Sequence, residues 1–404
     1  MNLVLLTHPE FLGLRSQDHF ARMLVDGYRA RGHAVDLRRP RAWVKALIPS
    51  GRWSKWAGYV DQYLLFPLAL RRAMQRDPPD TLYVFCDQAL GPWVPLAAHR
   101  PHVVHCHDLL ALQSALGEVP ENPTGWTGRL YQRFIRRGFV GARHFISVSH
   151  HSRAELHRLG AVAPLTSDVV YNGLNQPWQR IDADTARTRV HAAGLPGAAP
   201  GLLLHVGGGQ WYKNTAGVLA LYRAHAARCV AQGRSVPPLW LVGPRLPATL
   251  QAQLLSLPAG AVVQQVGGVG GEVLEALYSL AAVMLFPSLA EGFGWPIIEA
   301  MACGCAVLTT DAAPMNEVAG SMAAYVPRLE SGAPIEAWAE LGADQLARLT
   351  RRTEREVACD AAAAQDWARR FDANVAIDRY LTIYAQVASL NSTALDAGFP
   401  RVAS

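Results

Sequence analysis

The chain has 404 residues, 50% of them hydrophobic, and a formal net charge of +6. This length fits two α/β domains, each with its own core, better than one domain. No apolar run approaches the roughly 18 residues that a membrane-spanning helix needs, so we expect any membrane contact to be peripheral. Six scattered cysteines, without a Cys-x-x-Cys pair or a secretory start, favour a reduced cytoplasmic setting over a disulfide framework.

The positive charge is concentrated in the first half of the chain. Residues 1–180 contain 22 Lys and Arg against 13 Asp and Glu, a balance of +9, which leaves 16 against 19, or −3, for the remainder. Basic clusters at 38–41 and 133–137 suit an anionic ligand or an acidic lipid surface, although a solvated basic face is equally compatible. No nucleic-acid-binding motif accompanies them, so we do not expect nucleic acid as a partner.

Apolar runs of strand length alternate with helical stretches along the chain. In the first half they lie at residues 2–7, 81–85, 103–106 and 144–148. A second series lies at residues 202–206, 239–242, 261–263, 283–286, 306–309 and 323–326. Because this alternation is typical of parallel sheets covered by helices, the sequence predicts two doubly wound α/β domains.

Glycine and proline cluster at residues 194–201, between the two series of runs. The predicted organisation is a first domain at 1–178, a linker at 179–200, a second domain at 201–365, helices at 366–390 and a frayed tail at 391–404.

The strongest chemical pattern lies at residues 287–304, where Glu291 and Glu299 flank a turn and a helix expected to begin at Pro296. The turn residues are Gly292, Phe293 and Gly294. A helix start directs unpaired N–H groups and a positive dipole end at the loop, which favours phosphate oxygens. Glu299 could then accept hydrogen bonds from both ribose hydroxyls, and Glu291 could reach sugar hydroxyls. On spacing alone, two surface acids on an ordinary strand-loop-helix fit equally well.

A glycine turn follows the strand predicted at 202–206. Gly207, Gly208 and Gly209 would let the backbone approach a diphosphate closely, and Lys213 and Asn214 come next. Lys213 is one of only three lysines beside 35 arginines, although a lysine capping the strand is the alternative. The glycines do not complete Gly-x-Gly-x-x-Gly, which disfavours a dinucleotide dehydrogenase.

Together these segments resemble the Glu-x7-Glu signature and glycine turn of the retaining GT-B glycosyltransferases of family four, also called group one. Residues 103–109, Val-Val-His-Cys-His-Asp-Leu, are similar to the strand end with the family's active-site histidine, which corresponds to His107. Tyr212 stands where many members have arginine. Residues 367–384 resemble the family's last helices, so the helices at 366–390 are expected to pack back toward the first domain. The resemblance covers nearly the whole chain and is more specific in its second half.

The resemblance implies an α/β GT-B fold, in which two Rossmann-like domains face each other across a cleft. The first would bind a glycan or lipid-linked acceptor and the second a nucleotide sugar. It implies transfer with retention, by front-face attack, without metal or other cofactor. The catalytic residues would be His107, Lys213 and Glu291. The donor-binding residues would be Gly13, Gly207, Gly208, Gly209, Lys213, Asn214, Gly268, Val269, Glu291, Gly292, Phe293, Gly294 and Glu299.

Several alternatives stay open at this point. A metal pair at His105 and His107 is conceivable, and Asp182-Ala183-Asp184 has the form of a metal-binding Asp-x-Asp but is interpreted as surface. The aromatic and basic residues between Trp43 and Tyr63 could lie at a headgroup interface, bind an acceptor or pack under a loop. An inactive scaffold in a polysaccharide assembly complex and a GT-B epimerase are the rival functions. The donor sugar, its base and the acceptor are likewise open.

Overall fold

The computed structural model describes residues 1–160, 163–198 and 200–396 and divides the chain into two compact units. Unit 1 contains Met1–Val119, Pro123–Asn175 and the described residues from Ala373 onward. Unit 2 contains Pro120–Asn122 and Gln176–Asp372.

Unit 1 contains a six-stranded parallel sheet. Its strands are β1 (Asn2–Leu6), β2 (Ala34–Arg38), β3 (Leu82–Phe85), β4 (His102–Cys106), β5 (His144–Ser147) and β6 (Thr166–Val169). They follow the order β2-β1-β3-β4-β5-β6, with register pairs such as Leu3 with Leu82 and Val104 with Phe145. The direction of strand addition reverses between β1 and β3, and such a switch point is where doubly wound sheets bind ligands.

Eight helices in the described part of unit 1 precede the second sheet in sequence. They are α1 (Arg15–Ala30), α2 (Val44–Leu47), α3 (Ser54–Val60), α4 (Phe66–Met74), α5 (Val94–Ala97), α6 (Leu110–Leu116), α7 (Trp126–Gly138) and α8 (His150–Leu159). A π-helical turn, Asp61–Leu65, joins α3 directly to α4. Strands β3, β4 and β5 are buried along their whole length, so their apolar runs are covered on both faces.

Unit 2 contains a second six-stranded parallel sheet. Its strands are β7 (Leu202–Val206), β8 (Leu239–Val242), β9 (Val263–Val266), β10 (Ala281–Phe286), β11 (Ala306–Thr310) and β12 (Ala324–Val326). The order β12-β11-β10-β7-β8-β9 is that of a dinucleotide-binding sheet, with its switch point between β7 and β10. The glycine turn follows β7 and the two-glutamate segment follows β10, so the fold brings these distant stretches of sequence to one edge of the sheet.

The helices of unit 2 begin inside the stretch expected to be a linker. They are α9 (Ala183–Ala192), α10 (Thr215–Ala231), α11 (Ala248–Leu254), α12 (Gly271–Leu280), α13 (Trp295–Ala302), α14 (Met315–Ala319), α15 (Ile335–Thr350) and α16 (Glu354–Ala368). Helix α9 packs on α12, and Arg189 pairs with Glu275 at 2.6 Å, so residues 183–192 are an integral part of unit 2. The expectation of a linker over the whole of 179–200 was wrong for that reason.

The last helix, α17 (Ala373–Asp396), belongs to unit 1, where it packs against α1 and β4. The Tyr28 hydroxyl donates to the Tyr384 hydroxyl at 3.0 Å, and that hydroxyl lies 2.6 Å from Nε2 of His105. All three side chains are buried. The helix continues through 391–396, which corrects the expected start of a frayed tail at 391, while the rest of that tail, 397–404, lies outside the described residues.

No helix in the described part of the chain is long and apolar enough to cross a membrane.

Candidate functional site

The turn after β7 requires its three glycines. Gly207, Gly208 and Gly209 have φ angles of 129°, 127° and 81°, values that side chains with a β-carbon rarely adopt. A β-carbon on Gly207 would also lie 3.1 Å from Cδ of Lys213. The turn therefore presents bare backbone directly beside the Lys213 side chain.

Lys213 and Glu291 form an ion pair in which Nζ lies 2.7 Å from Oε1. Both side chains are largely buried, and Nζ also lies 4.7 Å from the centre of the Phe286 ring. The aromatic face and the carboxylate both stabilise the ammonium in this position. The site thus holds the Lys213 ammonium at the switch point of unit 2. An incoming anion would have to displace Glu291 from this ammonium or share the ammonium with it.

Asn214 ties the two halves of the site together. It adopts a left-handed conformation with φ of 50°, and its Oδ1 accepts a hydrogen bond from the Gly217 amide at 3.1 Å, which caps α10. Its Nδ2 donates to the Pro287 carbonyl at 2.9 Å. The Asn214 side chain therefore stabilises the loop after β7 and the loop after β10 by hydrogen bonds. Its predicted contact with a donor stays a prediction.

Glu299 lies on α13 and is buried beside Tyr278 of α12, whose hydroxyl donates to Oε2 at 3.0 Å. Burial raises the pKa of the Glu299 carboxyl to about 7, although the Tyr278 hydroxyl and the Lys213 charge both act to lower it. Near neutral pH this carboxyl is therefore poised between its two protonation states. The sequence patterns gave no indication of Tyr278, because its contact with Glu299 depends on how α12 packs on α13.

Helix α13 begins at Trp295, one residue before the predicted start at Pro296. Gly294 occupies the N-cap position with φ of 98° and, having no side chain, cannot cap the first turn with one. The Phe293 ring is buried, with its centre 5.8 Å from that of Phe371, so it anchors the turn in the core. The predicted contact of Gly292, Phe293 and Gly294 with a donor stays a prediction.

The glycine turns after β7, β8 and β9 pack against one another. A β-carbon on Gly243 would lie 2.2 Å from the Gly207 carbonyl oxygen, and one on Gly267 would lie 3.3 Å from the Gly243 oxygen. Gly268 and Val269, both predicted to contact the donor, belong to the last of these turns. Sequence reasoning missed Gly243, although a glycine directly after the apolar run at 239–242 was the available signal.

His107 lies after β4 in unit 1 and is buried against Phe20, with 4.6 Å between the ring centres. Its Nε2 lies 2.9 Å from the Cys86 carbonyl oxygen, and its backbone amide donates to Gln88 Oε1 at 2.8 Å. Burial lowers the pKa of the imidazole, although Asp87 acts in the opposite direction. His107 is therefore a neutral imidazole held in a fixed orientation at neutral pH.

A second histidine, His8, lies at the switch point of unit 1 and was not among the predicted site residues. Its Nε2 lies 3.2 Å from Oδ2 of Asp87, the residue that follows β3 by two positions. Burial would raise the pKa of the Asp87 carboxyl, but His8, His107 and the Ala89 amide together lower it. The sequence signal was weak, because a His after one strand and an Asp after another are brought together only by the strand order.

Two further predicted features of unit 1 are Gly13 and the basic cluster at 38–41. Gly13 ends a short 3-10 turn with φ of 65° and is exposed. In the basic cluster at 38–41, Arg38 makes bidentate contacts to Asp77 at 2.6 and 2.7 Å, and Arg39 pairs with Glu10. The positive charge that the sequence suggested for an anionic ligand at 38–41 is therefore largely compensated.

The two sites considered for metal have other roles in the described structure. Asp182 caps α9, accepting from the Asp184 and Thr185 amides at 3.1 and 2.9 Å. Nε2 of His105 lies 2.6 Å from the Tyr384 hydroxyl, and burial lowers the pKa of the His105 imidazole to about 3.

Comparison with known proteins decides the family. The model of the glycosyl transferase 4-like domain matches residues 13–173, and the model described as glycosyl transferases group 1 matches residues 201–344. The chain belongs to the group 1 glycosyltransferases. The predicted family is thereby confirmed, and the second match contains both the glycine turn and the two glutamates of this group 1 member.

Solved structures resemble the chain over nearly its whole length. Sucrose-phosphate synthase from Thermosynechococcus elongatus gives a TM-score of 0.64 at 19% identity, covering 98% of this chain and 100% of that one. The HepE protein of Anabaena, solved in complex with UDP and glucose, gives 0.65 at 18% identity, with coverages of 97% and 100%. At such identities the likeness concerns the fold, and it confirms the two-domain GT-B fold for this group 1 glycosyltransferase.

A curated relative matches a short segment more closely. The O-antigen chain mannosyltransferase B of Escherichia coli is 41% identical over 58 residues. The match spans 14% of this chain and 15% of the relative's length.

Proposed function

We propose that this protein is a retaining, metal-independent hexosyltransferase that moves a sugar from a nucleotide diphosphate to a glycan or lipid-linked acceptor in cell-surface polysaccharide or glycolipid biosynthesis. The observation that carries the proposal is the gathering of Lys213, Glu291, Glu299 and the glycine turn at the switch point of unit 2. The short match to an O-antigen mannosyltransferase supports the polysaccharide setting.

Each part of the donor has a matching group in unit 2. The diphosphate would lie on the glycine turn and the start of α13, where backbone N–H groups and the Lys213 ammonium complement its charge. Glu299 would accept hydrogen bonds from the ribose, and Glu291 from the transferred sugar. When the donor binds, its phosphate oxygens would replace Glu291 as the partner of the Lys213 ammonium. The Glu291 carboxylate would then be available for sugar hydroxyls.

The reaction requires stabilisation of the leaving diphosphate. As the bond from the anomeric carbon to the phosphate oxygen breaks, negative charge collects on that oxygen, and Lys213 with the backbone donors stabilises it. The acceptor oxygen would form its bond on the same face of the sugar, and its proton would pass to a phosphate oxygen of the departing nucleotide. His107, neutral and fixed, would contact the sugar rather than carry this proton.

The proposed donor site is tested by thermal stabilisation with a panel of nucleotide sugars, including GDP-mannose and UDP-glucose. A ligand at 100 times its Kd stabilises the native state by about 2.7 kcal/mol, which is a measurable rise in melting temperature. Lys213→Ala should abolish both this rise and sugar transfer, whereas Arg355→Ala, an exposed charge on α16, should retain both. Full transfer by the Lys213→Ala enzyme would remove the proposed site.

The stereochemical, metal and His107 parts of the proposal have separate tests. NMR of the product should show the anomeric configuration of the donor, and transfer should persist in EDTA. Inversion would contradict the front-face mechanism, and loss of activity in EDTA with recovery on adding a divalent cation would contradict metal independence. Unchanged turnover in His107→Ala would reject its contact with the sugar.

An inactive scaffold in a polysaccharide assembly complex is the second candidate, and Tyr212 supports it. This residue stands where many family members have arginine, so one of the usual cations is replaced by an aromatic ring 5.4 Å from the Lys213 ammonium. Calorimetric titration that finds no binding of any nucleotide sugar would favour the scaffold.

We further propose that the protein works in the cytoplasm and makes peripheral contact with an anionic membrane, such as the inner face of the plasma membrane. The cysteine pattern and the excess of basic residues in the first 180 positions support this placement.

A further inference from the structure

One surface of unit 1 exposes large apolar side chains among arginines and lysines. We call it the α4–α7 face. Its apolar members are Trp56, Leu64, Leu68, Trp126, Leu130 and Phe134, all of them exposed.

Helix α7 shows why this surface is unusual. Ile135 and Gly138 face the interior of unit 1, as expected for the buried side of an amphipathic helix. Trp126, Leu130 and Phe134 recur every four residues and therefore form a second apolar stripe, which points outward. Trp126 is 77% exposed and Leu130 59% exposed. The apolar side of the helix therefore extends from residues that face the core to residues that are exposed to solvent.

Aromatic contacts join α7 to the helices of residues 54–74. The Tyr59 and Tyr131 rings are stacked with 5.6 Å between centres, and the Tyr63 and Phe134 rings are 5.4 Å apart. The Tyr63 and Tyr131 hydroxyls lie 2.6 Å from each other. Because these contacts hold the helices side by side, their exposed apolar residues form one surface rather than isolated spots.

The charge around this surface has one sign. Residues 41–76 contain seven Lys and Arg and a single acid, Asp61, and residues 126–138 contain four arginines and no acid. The Asp61 carboxylate is buried and accepts hydrogen bonds from the Val44 and Lys45 amides, both at 2.9 Å. The exposed charges of the two segments are therefore positive.

We propose that the α4–α7 face docks on a bilayer surface that contains anionic phospholipid. Exposed leucine, phenylalanine and tryptophan side chains can enter the boundary between headgroups and acyl chains, while neighbouring arginines and lysines contact lipid phosphates. A second copy of the chain would bring positive charge against positive charge, so charge complementarity favours the lipid over a symmetric dimer.

The inference deepens the membrane contact in the proposed function by assigning it to particular residues. Lipid binding needs no nucleotide sugar, so it is measured without a donor. Failure of vesicle binding would overturn the docking face and leave the donor site of unit 2 untouched, whereas failure to bind any donor would leave the docking face untouched.

The test is flotation of the full chain with vesicles of phosphatidylcholine alone or with 30% phosphatidylglycerol. The double variant Leu64→Gln/Leu130→Gln should bind anionic vesicles at least about tenfold more weakly. The matched control, Leu165→Gln/Leu255→Gln, changes leucines that are 67% and 91% exposed elsewhere, and it should bind like the unmodified protein. Melting temperatures of all proteins check that the variants are folded.

A charge variant tests the same face independently of its apolar residues. Arg133→Gln/Arg137→Gln should weaken binding by about fivefold for each arginine, and Arg234→Gln/Arg355→Gln, exposed arginines of unit 2, should have no effect. Binding should also fall as salt rises. Equal binding to neutral and anionic vesicles, equal loss in variant and control, or light scattering that shows a dimer separated by the leucine variant would each overturn the proposal.

Discussion

The protonation of Glu299 makes a quantitative prediction about stability. Its carboxyl has a pKa of about 7 in the folded protein, raised by burial from an ordinary 4.5. A raised pKa means that the native state holds the proton more tightly than the unfolded state, so the stabilisation is complete below pH 4.5 and is lost as the pH rises through 7. With these two values, the free energy of unfolding falls by about 2.5 kcal/mol between pH 5 and pH 8 on account of this group alone.

Replacement of Glu299 by glutamine removes that dependence, because the amide carries no charge at either pH and can still accept a hydrogen bond from Tyr278. We therefore expect Glu299→Gln to gain stability relative to the unmodified protein as the pH rises, by about 2.5 kcal/mol from pH 5 to pH 8. For a unit of this size the gain corresponds to a relative rise in melting temperature of roughly 5 to 10 °C.

The assay is scanning calorimetry of both proteins at half-unit steps from pH 5 to pH 8. All other titrating groups are shared, so the difference between the two curves isolates Glu299. Parallel curves would refute the reasoning, since they would show that Glu299 titrates equally in the folded and unfolded states. The pH dependence of donor affinity tests the ribose assignment, because a hydrogen bond from ribose hydroxyls favours the carboxylate form of Glu299. Affinity for a nucleotide sugar should then rise up to tenfold per pH unit below 7 and level off above it in the unmodified protein only.

Two further predictions concern the scaffold around the sites. Asn214→Ala removes both the α10 cap and the bond to the Pro287 carbonyl, so it should lower the free energy of unfolding by about 1 to 3 kcal/mol in a denaturant titration; an unchanged midpoint would contradict the bracing role. Tyr384→Phe leaves His105 Nε2 buried without its hydroxyl partner and should cost a similar amount, whereas Thr382→Ala, an exposed position on the same helix, should cost little.

The apolar strands of both sheets were predictable, but the edges of the first were not. Five strands of unit 2 (β7, β8, β10, β11 and β12) and the four central strands of unit 1 coincide with predicted apolar runs. Strand β9 contains two glutamines and is only partly buried, so the predicted run at 261–263 meets it at Val263 alone. Strands β2 and β6 lie at the edges, are only partly buried and carry polar residues, so no apolar run reveals them. Helix α9 was assigned to the linker because glycine and proline cluster at 194–201, although Asp182 is a typical N-cap residue.

For the candidate site, too, local sequence patterns identified some residues, whereas contacts between distant parts of the chain could not be predicted. Lys213, Glu291 and Glu299 could be singled out from local pattern and resemblance, since each lies in a turn or helix start with a recognisable spacing. Their partners could not, because the Lys213–Glu291 pair spans 78 residues and the Tyr278–Glu299 contact depends on helix packing. The second histidine of unit 1, His8, was missed because its significance comes from Asp87, which only the strand order brings beside it.

The position of the last helix has a consequence for how the protein is made. The segment of unit 1 that ends at Asn175 is separated from its last segment, which begins at Ala373, by 197 residues. The ribosome must therefore synthesise these 197 residues before α17 can form. At about 5 to 20 residues per second this takes roughly 10 to 40 seconds. Throughout that interval Tyr28 and His105 lack the Tyr384 hydroxyl, and the surface of β4 that α17 covers is open to water or to a chaperone. Unit 2 is continuous apart from its three residues at 120–122 and can complete its core first, so the part of the protein that begins synthesis earlier is the part that finishes folding later.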